Sequence, residues 1–196
     1  MKLSTSSNIV FDRPDGSAVS MERMMRYAKE AGFDTLDISF YDWSLPGSPF
    51  LEDGWRAWID QVAEEKERLG MKFGQCHAYT YNFLDPSLTA EERGRHEELV
   101  LRSIECCYIV GSRLCVTHPD TDYNASRLMA VSEEKNAAYF RQLLEKTASF
   151  EMSLAVENMC DITIAPRRKY GAYPEELVSL AEKINDSRFG ICWDFE

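Results

Sequence analysis

Short apolar runs alternate with longer segments of helical periodicity along this chain of 196 residues. The apolar runs predict strands at residues 2–9, 35–40, 71–77, 113–117, 153–158 and 189–193. Between the strands, the spacing of apolar positions predicts helices at 19–31, 52–69, 90–110, 133–150 and 174–184. Strand-then-helix units that recur roughly every 35 to 40 residues predict a parallel sheet with right-handed crossovers.

Several polar residues and glycines set the expected element boundaries. Thr89 and Glu92 form a capping box, in which each side chain satisfies an amide at the start of a helix. Ser132 is predicted to cap the fourth helix, which would place two acidic residues in its first turn. Gly32 closes the first helix because glycine accepts a positive φ. In the first strand, Leu3 is expected to be buried.

The architecture expected from this order is an α/β fold of the (β/α)₈ TIM-barrel type in one domain, residues 1–196. An open, doubly wound sheet is the competing arrangement, but it normally has a glycine-rich phosphate loop after its first strand. Residues 4–12 contain no glycine, so the barrel is favoured. Because a complete barrel needs about 250 residues, we expect an incomplete barrel of about six β/α units.

The composition limits the kinds of binding partner and the cellular location that we expect for this protein. The net charge of −11 disfavours nucleic-acid binding, and the one basic cluster, Arg167-Arg168-Lys169, reads as solvated surface or as a contact for a sugar phosphate. No apolar run approaches the ~20 residues that a membrane-spanning helix needs. The N-terminal residues lack the apolar region of a signal peptide, so a cytoplasmic location is expected. A homo-oligomer is compatible with this composition.

The six cysteines do not form a zinc or disulfide pattern, because no Cys-x-x-Cys pair occurs. They are expected to be buried free thiols that act as small apolar residues.

Ligand-type residues stand at the ends of four consecutive strands: His77, His118, Glu157 and Asp194. The ends of barrel strands form the face on which TIM-barrel chemistry takes place, so these side chains are expected to converge there. Nitrogen and oxygen ligands of this kind suit Mn²⁺, Mg²⁺, Co²⁺ or Zn²⁺. Such an ion polarises a carbonyl and the adjacent hydroxyl, and a neighbouring carboxylate then moves a proton on carbon.

The order of these motifs resembles the xylose isomerase-like TIM-barrel superfamily, which includes sugar isomerases and epimerases, inosose dehydratases and AP endonucleases of the endonuclease IV type. The similar segments are His77, His118-Pro119, Val156-Glu157-Asn158, Trp193-Asp194 and the opening Ala31-Gly32-Phe33-Asp34.

In the isomerase and epimerase branch, the resemblance implies that Glu157 and Asp194 are metal ligands and that Glu157 is also the proton-transfer base. It implies that His77 and His118 contact the substrate. In the endonuclease branch, the same two histidines would bind zinc. We further expect substrate contacts from Asn158 and from aromatic residues suited to stacking on a sugar ring, namely Trp43, Tyr79 and Trp193.

The expected function is therefore that of a divalent-metal-dependent sugar or sugar-phosphate isomerase or epimerase. The alternatives are an endonuclease IV-type phosphodiesterase and a non-catalytic barrel remnant that acts as a binding module. The family's remaining metal ligands come from a seventh and an eighth strand, which this sequence does not show. We expect the chain to be part of a longer reading frame; the alternative is a partner chain that fills the gap.

Overall fold

The computed structural model describes residues 3–8, 19–160 and 168–195. A six-stranded sheet follows the chain in the order β1-β2-β3-β4-β5-β6. The strands are β1 Ser4–Ser6, β2 Thr35–Ser39, β3 Lys72–His77, β4 Leu114–Thr117, β5 Ser153–Glu157 and β6 Phe189–Cys192. The helices are α1 Met21–Glu30, α2 Trp55–Arg68, α3 Ala90–Ile109, α4 Leu128–Lys146 and α5 Pro174–Ile184. This alternation confirms the predicted α/β fold.

The strand pairs are parallel, and their register aligns the strand ends. β2 pairs with both β1 and β3, and Ser39 at the end of β2 stands opposite His77 at the end of β3. β5 pairs with β6, and Glu157 stands opposite Cys192. The ends of paired strands therefore present their side chains at the same edge, as parallel pairing requires.

The chain forms two compact units, the first of which contains Met1–Tyr79 and Arg102–Cys115. Its core includes the α1 side chains Met21, Met24 and Met25, which recur at helical spacing on one buried face. After β2, the loop forms two short 3₁₀ turns, Asp42–Ser44 and Pro49–Leu51. Each turn delivers one aromatic ring, Trp43 and Phe50, to the core.

The second unit contains Thr80–Leu101 and Val116–Glu196. Phe140 of α4 joins its core to β6, because its ring lies 5.2 Å from that of Phe189. In the loop that precedes α3, Phe83 stacks on Tyr139 with ring centroids 3.8 Å apart. β5 runs through this core with Leu154, Ala155 and Val156 all buried, as expected of a strand covered on both faces.

Two of the predicted boundary signals are confirmed. Thr89 and Glu92 make the reciprocal bonds of a capping box: the Thr89 N–H donates to the Glu92 carboxylate at 2.9 Å, and the Glu92 N–H donates to Thr89 Oγ1 at 3.2 Å. Gly32 follows α1 with φ of +92°.

The predicted role of Ser132 as a helix cap is wrong. α4 begins at Leu128, so Ser132 lies inside the helix and is fully buried. Its hydroxyl accepts a hydrogen bond from the Asp122 N–H at 2.9 Å, which fixes the loop after β4. The acidic residues Glu133 and Glu134 consequently lie beyond the first turn, where the helix dipole favours them less.

The first strand is shorter than predicted, and the prediction that Leu3 is buried is wrong. β1 begins at Ser4, and Leu3 stands before the first paired residue with 69% of its surface exposed. Lys2 and Ile9, at the limits of the predicted strand, lie outside the described residues, as does Arg167 of the basic cluster.

The six cysteines are free, and four of them are buried: Cys76, Cys106, Cys107 and Cys115. Cys160 is exposed and Cys192 is half-buried, which corrects the expectation that all would be buried. Both follow or end a strand at the border with solvent, where packing no longer encloses a side chain. Among the described residues, no helix has the length and apolarity required to cross a bilayer.

Candidate functional site

His118 and Glu157 come together in the second unit. His118 follows β4 directly, Glu157 is the last residue of β5, and His118 Nε2 lies 2.8 Å from Glu157 Oε2. The side chains are 33% and 17% exposed, so the pair is accessible to a small molecule. When Glu157 is ionised its oxygens can only accept, so in that state His118 Nε2 carries the hydrogen and donates it to Glu157.

Local sequence explains the position of Glu157. Leu154, Ala155 and Val156 are buried, whereas Glu157 is half-buried at the point where the strand leaves the core. A carboxylate at this border keeps contact with solvent and avoids the full cost of burying a charge.

Asn158 connects the ends of β5 and β6. Its Nδ2 donates to the Asp194 carbonyl at 3.0 Å, and its Oδ1 accepts from the Asp194 N–H at 2.6 Å. One amide side chain thus satisfies both backbone groups of Asp194 and fixes this residue beside the end of β5. Asn158 was predicted to contact substrate; that role stays a prediction, and positioning Asp194 is a role that sequence reasoning missed.

Trp193 is 38% exposed, so part of its surface is available to a ligand. The other predicted aromatic contacts lie in the first unit. Trp43 is 5% exposed, and its ring centroid lies 5.3 Å from that of Trp58, so core packing accounts for its position. Tyr79 is half-buried, and desolvation raises the pKa of its hydroxyl. For all three aromatic residues, contact with substrate stays a prediction.

His77 ends β3 in the first unit and is half-buried. Its Nδ1 lies 3.1 Å from the Ala78 carbonyl oxygen, which can only accept, so Nδ1 donates. In the neutral ring this tautomer makes Nε2 an acceptor. Its predicted role as a substrate contact stays a prediction.

Asp120, two residues after His118, is a titratable group that sequence reasoning did not single out. Its Oδ2 accepts from the Phe83 N–H at 2.8 Å, and burial raises the pKa of this carboxyl to about 7. The Asn136 side chain holds the Asp120 backbone, accepting from its N–H at 2.9 Å and donating to its carbonyl at 2.7 Å. The only sequence signal was the position of Asp120 in a loop that follows a strand end.

Similar folds occur among solved structures of sugar epimerases and related enzymes. A D-tagatose 3-epimerase-like protein superposes with a TM-score of 0.71 and 22% identity, over 99% of this chain and 65% of that chain. The apo form of 3-keto-D-glucoside 4-epimerase from E. coli gives a TM-score of 0.72 and 15% identity, over 100% of this chain and 68% of that chain. The structure of AP endonuclease, family 2 from Brucella melitensis gives a TM-score of 0.67 and 15% identity, over 99% of this chain and 68% of that chain.

At these identities the structural similarity establishes the fold alone, and the chain spans only 65% of the length of the D-tagatose 3-epimerase-like protein. No curated protein matches the chain in sequence. The family model described as "Xylose isomerase-like TIM barrel" does match, over residues 25–196, a range that includes β2 to β6 and both residues of the His118–Glu157 pair. The chain therefore belongs to the xylose isomerase-like TIM barrel family.

Proposed function

We propose that this protein is a divalent-metal-dependent isomerase or epimerase of sugars or sugar phosphates. The observation that supports the proposal best is the His118–Glu157 pair, a half-buried carboxylate in hydrogen-bond contact with an imidazole at the ends of β4 and β5. In TIM barrels, the active site lies at the C-terminal ends of the strands, where His118 and Glu157 are located.

Glu157 and Asp194 are the residues that would hold the metal. Carboxylate oxygens suit Mn²⁺, Mg²⁺, Co²⁺ or Zn²⁺. Metal-binding carboxylates are usually oriented by hydrogen bonds from a second group, and His118 supplies such a bond to Glu157. Asn158 supplies the equivalent restraint on the Asp194 backbone. Carboxylates held in this way have the chemistry that a divalent ion prefers, and such an ion when bound would polarise the substrate carbonyl and its neighbouring hydroxyl.

The register of β5 and β6 supports pairing these two carboxylates. Glu157 stands opposite Cys192, and Asp194 follows two residues later. Because residues two apart in an extended chain share one side of a sheet, continued alternation beyond β6 would put Asp194 on the side of Glu157.

Glu157 would also act as the proton-transfer base. Its carboxylate would remove a proton from the carbon beside the substrate carbonyl. Delivery of a proton to the former carbonyl carbon would give the isomer, and delivery to the opposite face of the original carbon would give the epimer. The His118 N–H would keep Oε2 in place during both transfers, because it donates to that oxygen at 2.8 Å. Trp193, with its partly exposed ring, would offer a stacking surface to the sugar.

An endonuclease IV-type phosphodiesterase has the same fold, since an AP endonuclease, family 2 structure superposes on the chain. The net charge of −11 argues against it, because binding a phosphate backbone depends on clustered Lys and Arg. Cleavage of an abasic oligonucleotide by the protein would reverse this preference.

Calorimetric titration with Mn²⁺ tests the proposal. We expect Glu157→Gln to weaken Mn²⁺ binding about tenfold or more, because an amide is a poorer ligand than a carboxylate. Glu145→Gln is the matched control, since Glu145 is an exposed residue of α4. Equal Mn²⁺ affinity in the wild type and in Glu157→Gln, with thermal unfolding unchanged, would remove Glu157 from the metal site.

A further inference from the structure

Residues 168–171, here called the 168–171 segment, lie beside the His118–Glu157 pair. The Tyr170 N–H donates to Thr121 Oγ1 at 2.8 Å, which attaches the segment to the loop after β4. The Gly171 carbonyl accepts from the Met159 N–H at 2.9 Å, which attaches it two residues beyond Glu157. The segment is thus held to the loops that follow both strands of the pair.

The packing of Gly171 against Pro119 supports this position of the 168–171 segment. Gly171 has φ of +84°, and a Cβ atom at this position would lie 2.6 Å from Pro119 Cγ. Only glycine allows the backbone to approach the proline ring so closely. Pro119 directly follows His118, so the segment packs against the residue next to the candidate site.

The two basic residues of this segment differ in how their charges are used. Arg168 forms a bidentate pair with Glu176, with Nη1 2.9 Å from Oε2 and Nη2 2.5 Å from Oε1. Glu176 also accepts from the Gly171 N–H at 2.9 Å. The Arg168 charge therefore helps to fix the segment and is not available to a ligand.

The Lys169 ammonium, by contrast, has no hydrogen bond or ion pair with any of the described residues, although the residue is half-buried. Other half-buried lysines do have such partners: Lys183 pairs with Glu134 at 2.5 Å, and Lys66 pairs with Glu67 at 2.6 Å. Lys169 is therefore partly enclosed by the protein while its ammonium makes no bond to the described residues.

Among the described residues, Asp120 attracts the Lys169 ammonium but forms no ion pair with it. The Asp120 Oδ2 already accepts from Phe83. The ammonium therefore keeps an unpaired positive charge in a segment that is held to the loops after β4 and β5.

We propose that Lys169 binds an anionic group of the substrate, so that the sugars accepted at the His118–Glu157 site carry a phosphate or a carboxylate. This inference rests on the proposed function, because it assigns the substrate class of the same site. A phosphate or carboxylate oxygen would complete the hydrogen bonding that the Lys169 ammonium lacks, and charge-assisted bonds of this kind are the stronger ones.

Binding of three probes to the protein tests the inference: D-fructose, D-fructose 6-phosphate and D-gluconate, each titrated by calorimetry. We expect the wild type to bind at least one of the two anionic probes more tightly than D-fructose. Lys169→Met should weaken binding of that probe about tenfold or more and leave D-fructose unaffected. Lys169→Arg, which keeps the charge, should restore most of the affinity.

Lys72→Met is the matched control, because Lys72 is an exposed lysine at the start of β3. Unchanged affinity for both anionic probes in Lys169→Met, or equal weakening by Lys72→Met, would overturn the inference. Because these titrations measure binding and not turnover, they separate this inference from the proposed function: a protein that binds the anionic probe through Lys169 but catalyses no isomerisation contradicts only the latter.

Discussion

The carboxyl group of Asp120 lies in surroundings that favour its neutral form. The folded protein raises the pKa of this group from its ordinary value of 3.8 to about 7, mainly by desolvation. Between these two values the folded state holds a proton that the unfolded chain has released. The free energy of unfolding therefore falls as pH rises through this range, by about 4 kcal/mol in total for a shift of this size.

Asp120→Asn should remove this contribution. We expect the variant to have a flatter dependence of unfolding free energy on pH between 4 and 7 and to be more stable than the wild type at pH 8, since an amide oxygen can still accept from Phe83. Urea unfolding across this pH range measures the effect. Asp53→Asn, at an exposed aspartate, is the control. A slope that matches the wild type would contradict the account of Asp120.

Asn158 acts at the residue scale by holding Asp194. We expect Asn158→Ala to weaken Mn²⁺ binding, by about tenfold, because residues that orient metal ligands contribute on this scale. The physical cause is the loss of both hydrogen bonds between the Asn158 side-chain amide and the Asp194 backbone. Asn124→Ala, at an exposed asparagine of the same unit, is the control for calorimetry. Unaltered affinity would show that Asp194 needs no such restraint or is not a ligand.

At the scale of elements, Gly171 and Gly32 form a matched pair. Both have a positive φ, +84° and +92°, but only Gly171 has a neighbour in the space that a Cβ would occupy. Gly32→Ala should cost about 1–2 kcal/mol of unfolding free energy through backbone strain. Gly171→Ala should cost about 1–3 kcal/mol more, because the methyl group overlaps Pro119.

Urea unfolding of the two glycine variants measures this difference. Equal losses of stability would mean that the 168–171 segment is not packed against Pro119 and would remove the geometric support for placing Lys169 beside the site.

The strands and most helices could be predicted from the sequence because their signals are local. An apolar run bounded by polar residues is sufficient to identify β5, and a capping box is sufficient to start α3. The start of α4 could not be predicted in this way. Ser132 has the chemistry of a helix cap, but its hydroxyl bonds the backbone of Asp122, ten residues earlier. Only the folded chain reveals such a tertiary contact.

The candidate site was predictable to the same extent. Glu157 and His118 stand out because they end consecutive strands, and parallel pairing brings strand ends together. Two features of the site were not predictable: the hydrogen bonds from Asn158 to the Asp194 backbone and the lack of a partner for the Lys169 ammonium. Each depends on how loops fold back onto strand ends. The sequence identified Lys169 only as part of a basic cluster, and the pairing of Arg168 with Glu176 distinguishes the two residues.

At the scale of the whole molecule, family membership and net charge limit the functions that we propose for this protein. The family match over residues 25–196 gives the barrel type, and the net charge of −11 favours small-molecule substrates over nucleic acid. An acidic surface is compatible with an anionic substrate only if a cation is placed at the site, which is the role proposed for Lys169.

The most direct test of the central claim is deuterium exchange. The Mn²⁺-loaded protein is incubated in D₂O with D-fructose or D-fructose 6-phosphate, and deuterium at the carbons beside the carbonyl is followed by NMR. We expect the wild type to incorporate deuterium there and Glu157→Gln to lose the activity by at least 100-fold, the size of a general-base contribution. Undiminished incorporation by Glu157→Gln, or none by the wild type with either sugar, would contradict the account.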